Sequence, residues 1–440
     1  GGGNLTIDGN IVGTAGKSEN LTILSGTGNL TISGSIGLTQ AVADLTINAS
    51  QDGDVTIASI GTDSVVGVSG TTLIGNTTTD AMSLTGAEYN TTGSQKYSAK
   101  TGGQNIAISG TVAQFATSGA NIEFDTSGVS LNNDGTTVVT TGSGGGAVTF
   151  DGKIEGTDTA NADGLQVISG TGAITFTGAI GATNELDELS VNAQGVTGVG
   201  TGSITFGAAI GAGGQVGVVG TTAIGNENTT QITFNNGTLK FDGGTTFRAT
   251  DNNSGDDANI EIAAVTTIDT DGNSFTVTGS KLDLADGANL TVNSDGGAIV
   301  ISGIEGNDDE TVTINANDTD NSGETVETVS VGAIGDAGHS MIHTVAITGD
   351  GGITLTGNIE LAEDTDDVGS EAPVLTFSDK VIVDGSVSID VNDASTNDGT
   401  ITFTDNIDGT SGSGDNLTIE SGSAALTLVA IGQTTALDQL

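Results

Sequence analysis

Acidic oxygens gathered around glycines are the part of this sequence with the clearest capacity for chemistry. Asp318, Asp320 and Ser322 alternate ahead of Gly323, Asp269 and Asp271 with Asn273 surround Gly272, and Asp364 and Asp366 lie beside Asp367. Hard oxygen ligands at alternate positions are what calcium takes, with a glycine allowing the loop to turn sharply. The first cluster opens like a helix-loop-helix calcium loop, but Val329 stands where such a loop needs a bidentate Glu. Asp269, Asp271, Asp318, Asp320, Ser322, Asp364 and Asp366 are therefore the calcium candidates. The same residue types also make ordinary solvated turns. No other cofactor is expected.

Other chemistry finds less support. His339 and His343 are the only histidines, four apart with Asp336 nearby, but a glycine-rich approach and a following strand speak against a zinc-binding helix. Enzymes that cleave acidic polysaccharides need cations for developing negative charge, paired carboxylates in a cleft, and aromatic platforms for sugar rings. The sequence offers one Arg, Arg248, with no Trp and only Tyr89 and Tyr97 as tyrosines. No catalytic residue is expected, and a polysaccharide-degrading enzyme is the least favoured reading.

The elements that must position these residues are short strands. A ten-residue phrase recurs as GNLTISGSIG (28–37), GAITFTGAIG (172–181), GSITFGAAIG (202–211) and GGITLTGNIE (351–360). Alternation places Leu30 and Ile32, or Ile174 and Phe176, on one side, with Thr31 and Thr175 on the other. Gly34 or Gly178 then makes a corner before Ile36 or Ile180 re-enters the interior. Second strands follow as DLTIN (44–48) and ELSVN (188–192), whose closing Asn is placed to meet an Asn of an adjoining turn. A longer echo, VGVSGTTLIGN (66–76) and VGVVGTTAIGN (216–226), indicates duplication of larger blocks.

A unit this small cannot bury its own apolar face and must stack on its neighbours. The expected fold is all-β: a right-handed parallel β-helix, or β-solenoid, drawn out as an elongated rod. Turns of roughly 20 to 30 residues would stack at about 4.8 Å each. The 440 residues form one continuous segment of a longer chain in this reading, with acidic side loops near 250–260, 307–327 and 360–371. Immunoglobulin-like arrays would call for core Trp and a repeat near 100 residues, and the sequence shows neither.

Composition narrows the partners. Eight Lys and Arg against 55 Asp and Glu give a net charge of −47, which repels phosphate backbones and anionic lipid surfaces. Nucleic acid is not an expected partner. The longest apolar run is too short to span a bilayer as a helix, aromatic residues are too scarce for the girdles of a membrane barrel, and no membrane insertion is expected. Without cysteine, neither disulfides nor thiolate metal sites can staple the fold.

TTLIGN (71–76), TTGSQKYSA (91–99), the GxITFxGxI phrases and the connection IGxxxxLxxL together resemble the β-strand repeats of large bacterial surface proteins of the filamentous haemagglutinin and cell-surface adhesin type. That resemblance implies a secreted, extracellular repeat protein serving as a stiff filament or spacer in adhesion or a cell-surface coat. The implied partners are other cell-surface components, copies of itself, and host or substratum surfaces. It brings no catalytic residue. The alternative is a calcium-dependent subunit of a surface layer or sheath.

Overall fold

The computed structural model describes every residue except 1, 17, 49–51, 111–112, 158–162, 197–199, 251–258, 307–309, 318–327, 336–341, 362–371, 392–397 and 413. The described residues form strands and turns without a helix, in two compact units, Gly1–Thr230 and Gln231–Leu440. Every strand-to-strand ladder is parallel, and each joins a strand to its equivalent one turn away, so both units are β-solenoids. The length of a turn varies: Asn289 meets Thr311 after 22 residues, whereas Gln194 meets Glu227 after 33. Strand segments are kept in register, and the slack is taken up in the connections.

Three faces alternate around each turn of the first unit. One carries Leu5–Ile7, Leu30–Ile36, Gly53–Ile60, Thr79–Leu84, Ile106–Ile108 and Val129–Leu131, stacked in that order. The next carries Glu88–Asn90, Gln114–Ala116, Thr136–Thr140, Gly164–Ile168, Glu188–Val191 and Thr222–Ile224. The third runs from Leu21–Ile23 through Leu45–Ile47, Thr72–Gly75, Gln95–Ser98, Ile122–Asp125, Val148–Phe150 and Ile174–Phe176 to Ile204–Phe206. The second unit repeats the plan, with an eight-stranded ladder from Thr238–Lys240 to Leu426–Thr427 as one of its faces.

The core follows from the alternation. Leu30, Ile32, Ile174 and Phe176 are buried, whereas Thr31 and Thr175 keep partial exposure on the outside. Each fully buried aliphatic side chain is worth about 1.5–3 kcal/mol, and here it rests on its equivalent above and below. Gly34 and Gly178 are needed for contact between turns: a Cβ there would lie 2.4 Å from the Gly9 carbonyl carbon and 2.3 Å from that of Gly152. The left-handed corner comes three residues later, at Gly37 (φ 73°) and Gly181 (φ 61°). Asn of adjoining turns do meet, but not by stacked side chains: the Asn76 and Asn226 side-chain amides donate to the backbone carbonyls of Asn48 and Asn192 at 3.2 and 2.7 Å. The closing side chains of Asn48 and Asn192 bond Ser25 and Ser169.

One property is invisible in the repeated phrases. The strands Leu30–Ile36 and Gly53–Ile60 bend from the first face onto the second at their ends, where Ile36 pairs with Ile60 and Ile60 with Tyr89. GNLTISGSIG therefore puts Leu30 on the first face and Ile36 on the second, but GAITFTGAIG puts Ile174 on the third and Ile180 on the first. The longer echo shifts in the same way, since Thr72–Gly75 lies on the third face and Thr222–Ile224 on the second. The phrase therefore encodes a face, a corner and the next face; it does not encode a fixed side of the solenoid. Copies of the phrase are not separated by a whole number of turns.

Candidate functional site: a carboxylate ladder around Lys96

The calcium candidates separate once they are placed. Asp269 ends the strand Thr266–Asp269, level with Lys240 on one side and Asn293 on the other. Asp271 sits in the following corner in a left-handed conformation (φ 41°), next to Gly272 (φ 81°). The Asn273 amide donates to Asp242 Oδ1 at 3.3 Å and to the Asp271 carbonyl at 3.1 Å. Burial, then the charge of Asp271, raises the pKa of Asp242. The structure thus joins Asp271 and Asn273 to Asp242, one turn away, and leaves Asp269 on the strand. Asp318, Asp320, Ser322, Asp364, Asp366, Asp367, Asp336 and His339 lie outside the described residues, as do most of the three expected side loops. His343 is described, with its ring Nδ1 3.0 Å from Thr344 Oγ1.

Sequence reasoning missed a tighter cluster in the first unit. Glu123, Asp125 and Asp151 bring one carboxylate oxygen each within 4.8 Å of one another, and among the described residues this is the group with metal-ligand geometry. The residues come from successive turns of the third face. Lys96 is level with Glu123, and Asp125 with Ser98, in the ladder of Gln95–Ser98 on Ile122–Asp125. Asp151 follows Val148–Phe150, the strand on the far side, where its N–H bonds the Phe124 carbonyl at 3.0 Å. The residue numbers are too far apart to suggest a site, and stepping by one turn is the signal that finds it.

A cation already stands among these carboxylates. Lys96 Nζ is 2.8 Å from Glu123 Oε1 and 2.8 Å from Asp125 Oδ2, and Ser98 donates to Asp125 at 3.2 Å. Burial disfavours the charged ammonium, but the hydrogen bonds and charges of Asp125 and Glu123 outweigh it and raise the Lys96 pKa. Burial likewise opposes ionisation of Asp125, yet Lys96 first, and then Asp151 and Ser98, hold its pKa below the usual value. Asp151 moves the other way: burial, its hydrogen bond with Asp125, and the charges of Asp125 and Glu123 raise its pKa despite Lys96. The arrangement is a set of carboxylates on successive turns beside one ion-paired lysine.

The residues weighed for catalysis are placed elsewhere. Tyr89 and Tyr97 are fully buried, their rings edge to face at 6.2 Å. Tyr89 donates to the Ile57 carbonyl at 3.1 Å and accepts from the Gly86 N–H at 3.0 Å. They belong to the core and present no platform for a sugar. Arg248 ends the strand Thr245–Arg248 on the second unit. Among the described residues no helix is long and apolar enough to cross a membrane.

Both units thus belong to the class of parallel β-solenoids, with a polar outer surface carrying acidic ladders. A scan of protein-family models, a search of curated proteins and a search of solved structures each find no match to this chain.

Proposed function

We propose that this chain is a stiff structural segment of a large secreted or surface-attached bacterial protein, acting as a spacer or filament body in adhesion or a cell-surface coat. One observation carries the reading: interior side chains repeat in register turn upon turn, as in the rings of Phe124, Phe150, Phe176 and Phe206, whose centroids are 4.8, 5.4 and 5.0 Å apart. Bending such a stack opens ring contacts and ladder hydrogen bonds on one side together, so the resistance is shared across a turn. The outer face is acidic and rich in Thr, which keeps the surface hydrated and opposes collapse of one copy onto another. Other cell-surface components, or copies anchored beside it, are the partners this reading supplies, and it assigns no catalytic residue.

Electron microscopy of the isolated chain tests the mechanical claim. Each unit should image as a stiff particle whose length grows by about 4.8 Å per turn. Flexible strings or round particles would overturn it. Labelling intact cells with an antibody to the chain tests the location, and signal confined to permeabilised cells would defeat that part.

A further inference from the structure

Buried carboxylates in this molecule occur in a pattern that repeats. Among the described residues the buried acids are Glu155, Asp163, Glu305, Glu310, Asp408 and Asp415, and they fall into three pairs whose members are eight, five and seven residues apart. The first member of each pair follows an interior isoleucine and precedes a glycine: Ile154-Glu155-Gly156, Ile304-Glu305-Gly306 and Ile407-Asp408-Gly409. A buried carboxylate is costly unless it is paired and hydrogen-bonded, so its partners show what it does.

In the first unit Glu155 Oε2 accepts the backbone N–H of Thr183 at 2.9 Å and of Asn184 at 3.0 Å, both in the connection of the next turn. Gly156 N–H bonds the Asn184 carbonyl at 3.2 Å, and a Cβ on Gly156 would lie 2.2 Å from the Glu185 oxygen. Asp163 Oδ2 then accepts both the N–H and the hydroxyl of Thr157 at 3.0 Å, while its Oδ1 accepts the Asn133 N–H at 3.1 Å. Its carbonyl takes the Asp187 N–H at 3.1 Å.

The second unit builds the same arrangement from other residues. Asp408 Oδ1 accepts the N–H of Thr434 at 3.0 Å and of Thr435 at 3.4 Å, and Gly409 N–H bonds the Thr435 carbonyl at 3.0 Å. Asp415 Oδ2 accepts from the N–H and hydroxyl of Thr410 at 2.6 and 2.8 Å, its Oδ1 from Gly385 N–H at 3.0 Å, and its carbonyl from Asp438 N–H at 2.8 Å. Each first acid also has a lysine: Lys153 at 3.8 Å from Glu155, Lys380 at 3.0 Å from Asp408, and Lys281 bonded to Glu305. These are three of only eight cationic side chains in the chain. Burial opposes the charge on Asp408, but Thr434, Lys380 and Thr435 bring its pKa down to about 2.

A fourth copy lacks the first acid. Gly13 N–H bonds the Gln40 carbonyl at 3.0 Å, Thr14 N–H bonds Glu19 Oε2 at 3.1 Å, and Ala43 N–H bonds the Glu19 carbonyl at 2.8 Å. Where the other copies carry Glu or Asp, this one has Val12, half-exposed.

We infer that the acid in the Ile154-Glu155-Gly156 and Ile407-Asp408-Gly409 segments is a latch, whose carboxylate clamps the backbone of the next turn's connection and holds these wide connections to the solenoid; the connection that would face Glu305 lies outside the described residues. The isoleucine sets the register, the glycine admits the connection's carbonyl, and the second acid fixes the return of the chain. The latch is a conformational device additional to the ladders, and it is independent of where the protein works.

Hydrogen exchange on the full chain, read peptide by peptide, tests it with two variants. Glu155→Val, which copies the natural residue at position 12, should speed exchange at 182–185 by about tenfold or more, as expected for losing hydrogen bonds to a charged acceptor. Exchange in the neighbouring strand, Ile174–Phe176, should stay unchanged. Val12→Glu should slow exchange at 38–41. Unaltered exchange at 182–185 in Glu155→Val, acceleration shared equally with Ile174–Phe176, or no slowing in Val12→Glu would each overturn the latch.

Discussion

One face in each unit solves the same packing problem with different side chains. In Gly1–Thr230 the third face is filled by a run of aromatic rings, Tyr97, Phe124, Phe150, Phe176 and Phe206, with Tyr89 stacked on Phe115 beside it at 4.6 Å. In Gln231–Leu440 the long eight-stranded ladder is aliphatic over most of its height, through Leu239, Ile268, Val292, Ile314 and Ile347, before Phe377 meets Phe403 at 4.8 Å. The backbone ladders are alike in both. What stacking demands is equal size and shape at each level, and either a ring column or an aliphatic column meets that demand.

The outer surfaces differ as well. In the first unit Lys96 holds Glu123 and Asp125 together. In the second, Asp379 faces acids on both sides: burial and the charges of Asp350 and Asp405 raise its pKa, against the N–H of Gly349 that stabilises its ionised form. Like charges one turn apart are a cost of stacking identical turns, and each unit meets it differently.

Charge placed in the aliphatic column beside the rings, Ile122, Val148, Ile174 and Ile204, should have the largest effect. Ile174→Asp puts an ionised group among fully buried neighbours and should cost several kcal/mol, unfolding nearby turns in chemical denaturation. Thr175→Asp, on the outer side of the same strand, should cost under about 1 kcal/mol. Equal losses would refute the assignment of sides.

Truncating a ring compares the columns directly. Phe150→Ala and Phe377→Ala should each cost about 3–5 kcal/mol. Phe150 is stacked on both sides, by Phe124 and Phe176, whereas Phe377 is stacked on Phe403. Phe150→Ala should therefore be worse by about 0.5–1.5 kcal/mol, and denaturant midpoints measure the difference.

Lys96→Met leaves the carboxylate ladder without its cation. Because Lys96 is partly exposed, the loss should be near 1 kcal/mol, and the pKa of Asp125 should rise in an NMR titration. A titration curve unchanged by the substitution would remove Lys96 from the account.

The smallest expected effect is a pH slope in the first unit. Burial first, and then hydrogen bonding and charge repulsion from Asp63, push Glu88 up to about 7 from an ordinary 4.5. Its ionisation is therefore unfavourable in the folded state, so stability should rise as pH falls from above 7 toward 4.5 and level off below that. Glu88→Gln should flatten this part of the slope while leaving the background of the other acids. Asp408 has the opposite sign: its contribution is present above about 4 and is lost as pH falls through about 2.

Much of the fold was legible because strand alternation and stacking are local rules. The inward side chains Leu30, Ile32, Ile174 and Phe176 and the re-entrant Ile36 and Ile180 all follow from period two plus repetition. The carboxylate ladder was not legible in the same way. Glu123 and Asp125 look like ordinary outward strand residues, and Lys96 reaches them only because Gln95–Ser98 and Ile122–Asp125 pair in one particular register.

Residue order alone determined that the chain would stack short parallel strands, since each phrase has one apolar side and is too small to bury it alone. Turn length was a matter for the tertiary structure, because connections can lengthen or shorten without changing the strands they join. That freedom carried GNLTISGSIG and GAITFTGAIG to different faces. It also decided which acids met a lysine, which met another acid, and which were drawn inside to hold the next turn.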